Sequence, residues 1–421
     1  LFKKQYLSSE LNRRLIHAVV GLLLSFSPLI FTNNIFPIIL AVLFIIINSI
    51  GFNSKLFLGI HSQKRKSYGT IYFPLSYLII TWLFWDYSVF VTLSFLILAL
   101  SDSFASQIGS TVKSPKKFIV WHDEKSIQGT IAFFLVTFLI VFFGSKFLLS
   151  YSIFAQLGLA IFVSVFGTFS EFTSKKGTDN LTIPLVTILI MIGYDNSLIN
   201  ESLNINIMLI SIISISLFMA YYFNSLSLSG YFGSLFMGTM IIFFGSILKL
   251  TLIAIFFILS SLLSKLIKKR YLEEKSLPPK RDIIQVFCNG GIALIICIYD
   301  HFITDYNHIY IYAASIATAM SDTWGTEFGK LSRSKPISII TKKPINHGIS
   351  GGITLIGTIG SLLGSCVLGF IFWTLYPNSE IMIFCVIVSG FSGAIFDSVL
   401  GDTIQAKYIN NHNEVTEIES K

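Results

Sequence analysis

The chain has 421 residues, 53% of them hydrophobic and only 12% charged, against about 25% charged in soluble domains. With a mean hydropathy of +0.74, this composition excludes a soluble enzyme and leaves no polar stretch long enough for a separate aqueous domain. The net charge of +8 does not point to nucleic acid, because the basic residues sit in short loops between apolar runs, where membrane orientation signals sit.

The first apolar run, 15–31, follows Arg13 and Arg14 as a signal peptide would, but Asn33 and Asn34 lead at once into a second run. It is therefore read as a first spanning helix. Later runs lie near 35–51, 71–85, 88–108, 130–148, 152–169, 183–196, 205–223, 230–247, 249–267, 283–303, 309–329, 353–375 and 380–397. Measured against the ~20 residues a spanning helix needs, they predict an all-α, polytopic transmembrane bundle of about fourteen helices. With the N-terminus cytoplasmic, 28 of the 30 lysines and arginines fall in loops on the inner side, and only Lys146 and Lys249 fall outside. Both termini are then cytoplasmic (stromal in a plastid). Cys288, Cys297, Cys366 and Cys385 lie in apolar segments without metal-type spacing and read as small packing residues.

Two helices are unusual. The apolar stretches Ser88–Leu100 and Ile309–Met320 are too short to cross unless they continue through Ser101-Asp102-Ser103-Phe104-Ala105-Ser106-Gln107-Ile108-Gly109 and Ser321-Asp322-Thr323-Trp324-Gly325-Thr326-Glu327-Phe328-Gly329. Asp102 and Asp322 are thereby placed at membrane depth near the inner face, where an unpaired carboxylate costs several kcal/mol and marks function by default. The two segments also match each other: Gly follows seven residues after each Asp, then comes a basic loop and a Gly/Ser/Thr helix start. That start is Lys125-Ser126-Ile127-Gln128-Gly129-Thr130 in one case and Lys343-Pro344-Ile345-Asn346-His347-Gly348-Ile349-Ser350-Gly351-Gly352 in the other. One hairpin later a second acidic cluster appears, Glu171 with Asp179-Asn180 and Asp397 with Asp402. This is the pattern of two parallel six-helix repeats plus two extra helices, the first half spanning about 1–200 and the second 205–421.

The chemistry these residues carry is that of phosphate. Glycine-rich helix N-termini offer backbone N–H groups and a positive dipole end, which points to Ser126, Gly129 and Thr130, and to Lys343, Gly348, Ser350 and Gly351. Any one such start is more often a cap or a packing contact. Carboxylates from separate helices can hold Mg²⁺, predicting one group of Asp102, Glu171 and Asp179 and another of Asp322, Asp397 and Asp402. Lysines such as Lys125 neutralise the transferring group, and His17, one turn after Arg13 and Arg14, is a candidate general base or an interfacial residue. Lys265, Lys268, Lys269, Arg270 and the run to Arg281 read as an anchor on anionic lipid.

The first half also resembles the phytol kinase and dolichol kinase family. The resemblance is carried by Glu10-Leu-Asn-Arg13-Arg14-Leu-Ile-His17, Arg65-Lys-Ser-Tyr68-Gly69-Thr-Ile-Tyr-Phe-Pro74, Asp102-Ser-Phe-Ala105 with Gly109, Lys125-Ser126 with Gly129-Thr130, and Glu171 with Asp179-Asn180. It implies CTP, or another nucleoside triphosphate, as phosphoryl donor to an isoprenoid alcohol. It also implies catalytic roles for His17, Asp102 and Lys125, and nucleotide or phosphate contacts at Arg65, Gly109 and Asn180. The second half resembles the plant phytyl-phosphate kinases and their largely uncharacterised relatives. Here the carriers are Ser229-Gly230, Gly233 and Gly238, Asn289-Gly290-Gly291, Ser321 to Gly329, Gly348 to Gly352, and Asp397 to Gln405. It implies an isoprenyl-monophosphate kinase with Asp322 as its catalytic acid. The expectation is a membrane enzyme that makes an isoprenyl diphosphate from the alcohol in two steps. The alternatives are a single competent half, a cytidylyltransferase forming a CDP-lipid, and a duplicated transporter.

Overall fold

The structure, a computed structural model, describes residues 9–54, 68–120, 123–271, 280–303, 308–346, 348–377, 380–409 and 415–416. The chain is an all-α polytopic membrane protein with three short two-stranded hairpins among the described residues. It divides into two compact units, Leu1–Leu203 and Asn204–Lys421.

Unit 1 contains α1 (Ser9–Ser25), the single turn α2 (Ser27–Ile30), α3 (Ile35–Ser54), α4 (Gly69–Leu83) and α5 (Ser88–Thr111). The hairpin β1 (Lys117–Val120) and β2 (Asp123–Ser126) follows, then α6 (Ile127–Leu148), α7 (Ile153–Thr173) and α8 (Asp179–Ile199). Unit 2 contains α9 (Leu203–Tyr222), α10 (Leu228–Phe244), α11 (Ile247–Tyr271), α12 (Ile283–Phe302) and α13 (Ile309–Gly329). After the hairpin β3 (Ile337–Ser338) and β4 (Gly352–Ile353) come α14 (Leu355–Leu375) and α15 (Glu380–Thr403), with β5 (Tyr408–Ile409) and β6 (Val415–Thr416) closing the chain. Each of the fourteen apolar runs is a helix; the fifteenth helix is the turn α2, where Pro28 sits just inside a fresh helix start.

Nine of the described helices are long and apolar enough to cross a membrane. The 21-residue α13 is not among them, because Ser321, Asp322, Thr323 and Glu327 occupy its last turns. Large apolar side chains point outward, as at Phe154 (83% exposed) and Leu355 (78% exposed). Small hydroxyl residues such as Ser94, Ser101 and Thr137 are buried between helices. That distribution suits lipid outside and close helix packing inside. The hydroxyls are satisfied locally: Ser94 Oγ donates to Val91 O at 2.9 Å, and Thr137 Oγ1 donates to Ser101 Oγ at 2.9 Å across the α5–α6 interface.

The duplication is visible in the packing of each aspartate helix against the next one. Ser126 caps α6 by accepting the Gly129 N–H at 3.1 Å, and Thr354 caps α14 by accepting the Gly357 N–H at 3.0 Å. A Cβ on Gly129 would stand 2.9 Å from Ala105 O, and one on Gly357 would stand 3.0 Å from Gly325 O. Ala105 and Gly325 each lie three residues after the intramembrane Asp, so these are equivalent crossings. This corrects the register read from the sequence, which paired Gly129 with Gly348. Gly348 is exposed with open space around it, and the true counterpart of Gly129 is Gly357. The 330–351 loop carries its own glycines and serines before the helix starts, and these imitate the sequence of a helix start.

The units differ in what lies beside the aspartate helix. In unit 2, α15 packs directly on α13. In unit 1, α7 packs on α6 and α8, and α8 is the helix that reaches α5. The extra helix of the first half is therefore part of the site's frame. Among the described residues only α5 is interrupted by a π-helical turn, Ile97–Ser101, immediately before Asp102, a distortion found mostly at functional positions.

Candidate functional site

In unit 1, residues far apart in sequence meet along the C-terminal half of α5. His17 on α1 bonds through Nε2 to Asn180 Oδ1 at 2.7 Å, and its Nδ1 stands 3.9 Å from Asp102 Oδ2. The tautomer follows from the neighbours. Asn180 Nδ2 donates to Gly177 O at 3.2 Å and to Asp179 Oδ1 at 3.0 Å, so Asn180 Oδ1 is the acceptor side and Nε2 of His17 carries the proton. In the neutral form of the ring the lone pair is then on Nδ1, the nitrogen nearer Asp102. Phe73 packs edge-on against the imidazole, ring centroids 5.1 Å apart.

Lys125, at the end of β2, is the hub. Its ammonium donates to Glu171 Oε1 at 2.6 Å and to Glu171 O at 3.1 Å, which leaves one of three donors for another acceptor. Burial works against the charge, but the carboxylates of Glu171, Asp179 and Asp102 outweigh it and hold the pKa above the ordinary lysine value. All three predicted acids thus act on one cation. The turn between α7 and α8, with Lys176 and Gly177 at positive φ, brings Asp179 and Asn180 back beside Glu171. Tyr68, just before α4, donates its N–H to Lys176 O at 3.0 Å, which ties the start of α4 to this turn. Arg65 lies outside the described residues.

Several buried polar atoms here have no partner among the described residues: Glu171 Oε2, Gln128 Oε1, Thr130 Oγ1 and Ser103 Oγ. Burying such atoms unsatisfied costs roughly 1–3 kcal/mol each, and Glu171 Oε2, on the carboxylate that Lys125 holds, is the one tied directly to the site. Gln128 and Ser103 were not singled out in the sequence, although both stand inside the motifs that were. Ser126 and Gly109 make packing contacts: the Ser126 hydroxyl caps Gly129, and a Cβ on Gly109 would stand 2.6 Å from that same hydroxyl.

The expected carboxylate groups need correction. Among the described residues no three His, Cys, Asp or Glu side chains gather closely enough to hold a metal ion between them. In unit 1 the reason is Lys125, which already occupies Glu171. One or two of these carboxylates beside substrate phosphates would be enough for Mg²⁺, and Asp102 and Asp179, which are not in a direct ion pair with Lys125, are the acids that would hold it.

In unit 2 Asp322 and Asp397 each lie four residues past the Thr318–Gly393 contact between α13 and α15, but Asp402 has left the group. It accepts from Ser338 Oγ, from the Ile340 N–H at 3.2 Å and from Lys407 Nζ at 2.9 Å, and Gly351, at φ +82°, is pressed against it. Asp402 holds the 337–352 loop. Gly401 backs onto Ser350, so Ser350 and Gly351 belong to that loop's anchorage, while Lys343 and Gly348 are exposed. His347 lies outside the described residues. Glu327 pairs with Lys330 at 2.8 Å. All four cysteines are free.

No solved structure matches the chain. It is 33% identical to an uncharacterised membrane protein of Methanocaldococcus jannaschii, over 44% of this chain and 77% of that protein. It is 32% identical to a second uncharacterised protein of the same organism, over 43% of this chain and 92% of that one. Protein PGR of Arabidopsis thaliana is 30% identical over 37% of this chain and 63% of its own length. The family model described as integral membrane protein DUF92 matches residues 211–420, which lie within unit 2. The chain belongs, through that unit, to the DUF92 family of integral membrane proteins.

Proposed function

We propose that the chain is a membrane-embedded phosphotransferase in which unit 1 phosphorylates an isoprenoid alcohol, with CTP as donor, and unit 2 phosphorylates the resulting monophosphate. The observation that carries this reading is the convergence on Lys125 of Glu171, Asp179 and Asp102, with His17 bridging Asp102 and Asn180. Phosphoryl transfer asks the protein mainly to position groups and to stabilise charge on the moving phosphoryl, and these are the parts assembled here. The remaining donor of Lys125 faces that charge. As the alcohol oxygen bonds to the γ-phosphorus of CTP the bond to the bridging oxygen breaks and CDP leaves; the alcohol proton passes to Nδ1 of His17, and Asp102 stabilises the imidazolium that forms. Mg²⁺, held by Asp102 and Asp179, would when bound neutralise charge on the nucleotide phosphates. A lipid substrate accounts for an acid at membrane depth, since the hydroxyl can reach Asp102 while its chain stays in hydrocarbon. Orientation with both termini cytoplasmic gives the site access to nucleotide.

Purified protein incubated with geranylgeraniol and Mg²⁺ should transfer label to the lipid from CTP carrying a labelled γ-phosphate and not from CTP labelled at the α-phosphate. Label arriving from the α-phosphate would mean that cytidine monophosphate is retained and the enzyme forms a CDP-lipid instead.

A further inference from the structure

In unit 1, α1 and α5 pack antiparallel, and three contacts fix their register. A Cβ on Gly21 would stand 2.7 Å from the Cβ of Ala99. His17 Nδ1 stands 3.9 Å from Asp102 Oδ2. One turn earlier on α1, Arg14 Nη1 donates to Gln107 Oε1 at 2.8 Å and to Ser110 Oγ at 3.1 Å. Along this seam α5 passes from buried to accessible: Ala99 is fully buried, Asp102 is half-buried, and Gln107 and Ser110 are exposed. Arg14 and His17 therefore share the face of α1 that meets the aspartate helix, with Arg14 on the accessible side of the acid.

The contacts with α5 aim the guanidinium without neutralising it. Gln107 Nε2 donates to Thr111 Oγ1 at 3.5 Å, and the Thr111 hydroxyl donates to Gln107 O at 2.6 Å, which sets the amide with its oxygen toward Arg14. The Ser110 hydroxyl spends its own proton on Gln107 O at 3.0 Å, so it meets Arg14 as an acceptor. Both partners on α5 are neutral and both engage Nη1, so they orient a planar fork and leave its charge in place. A basic residue that serves as an orientation signal or headgroup anchor reaches along the membrane surface; this one turns across to the helix that carries Asp102.

The two sides of Asp102 differ in what can reach them. Phosphoryl transfer sets the attacking and leaving oxygens roughly in line, on opposite sides of the phosphorus. The alcohol comes from hydrocarbon and gives up its proton at His17, so the leaving group lies on the accessible side, in the layer of Arg14. We infer that Arg14 binds the β-phosphate of the nucleotide donor, the group on which negative charge builds as the bond to the γ-phosphorus breaks. This rests on the reading of unit 1 as an alcohol kinase and deepens it: Lys125 serves the phosphoryl that moves, and Arg14 serves the phosphate left behind.

The test compares CDP with CMP, which lacks the β-phosphate, as inhibitors of geranylgeraniol phosphorylation by the full chain in detergent without added anionic lipid. Wild type should bind CDP more tightly than CMP. Arg14→Gln should weaken CDP on the order of 10- to 100-fold, the weight of lost charge-assisted hydrogen bonds, and raise the KM for CTP alike, while CMP stays within a few-fold of wild type. Arg14→Lys, which keeps the charge but loses the fork, should fall between. Direct binding of labelled CDP and CMP reads any variant whose turnover is too low. If Arg14→Gln lowers the thermal unfolding midpoint but leaves both nucleotides alone, or weakens them equally, Arg14 is structural and the inference is wrong. It is equally wrong if CDP affinity is unchanged and the variant instead loses its stabilisation by nanodiscs containing phosphatidylglycerol, because the guanidinium then serves a lipid headgroup. If wild type phosphorylates no alcohol, the kinase reading fails, and binding of labelled CDP decides the inference. Weaker binding to Arg14→Gln supports it, and equal binding, or none to wild type, overturns it.

Discussion

Asp102→Asn should abolish phosphorylation of the free alcohol while conversion of supplied monophosphate to diphosphate continues. Asp322→Asn should do the reverse, so that monophosphate accumulates from the alcohol. The substitution keeps size and hydrogen bonding but deletes the charge. In unit 1 that charge faces Nδ1 of His17 and acts on Lys125, and in unit 2 it sits on the helix that packs against the one carrying Asp397. Losing such a transition-state contact costs at least on the order of 10²–10³ in rate. Neutralising an acid at membrane depth lowers a desolvation cost, so neither protein should unfold. If either variant, well folded, stops both steps, the two units do not act in series.

The second large effect is on stability as well as rate. Lys125→Met leaves Glu171, 6% exposed, buried without its partner, and breaking a buried pair in this way costs about 3–5 kcal/mol. The thermal unfolding midpoint in detergent should drop accordingly. Combining Lys125→Met with Glu171→Leu should restore most of the stability, because both charges are then gone, yet should restore none of the alcohol phosphorylation. Wild-type stability in Lys125→Met would show that the pair is not formed. The pH dependence has a definite sign. The folded pKa of Lys125 is raised, so its stabilising charge is fully present below the ordinary lysine value and is lost only as pH rises beyond it. Loss of alcohol phosphorylation between pH 7 and 9 would therefore report another group.

Much of this was legible in the sequence because the bilayer imposes strong rules. A run of apolar residues long enough to span fixes a helix, and all fourteen runs became helices. An aspartate at membrane depth must have company, and Asp102 found His17 and Lys125, while the helix of Asp322 packs against the one carrying Asp397. What the sequence could not show is which acid belongs to which partner. Glu171 and Asp402 look alike as acids at the C-terminal ends of α7 and α15. One is paired to the central lysine and the other anchors a loop, and only the three-dimensional path of residues 330–352 separates them. The same loop hid the register of the repeat, since its glycines imitate the helix start that Thr354 and Gly357 make.

The central claim is that the Lys125 cluster moves a phosphoryl group onto a lipid alcohol. It is tested most directly by following one lipid through a time course, with label in both the alcohol chain and the γ-phosphate of CTP. The account predicts a lipid product with one labelled phosphate per chain, followed by a second product with two, the first rising and then falling. A lipid alcohol that remains unlabelled in phosphate with folded protein, Mg²⁺ and CTP present would contradict it.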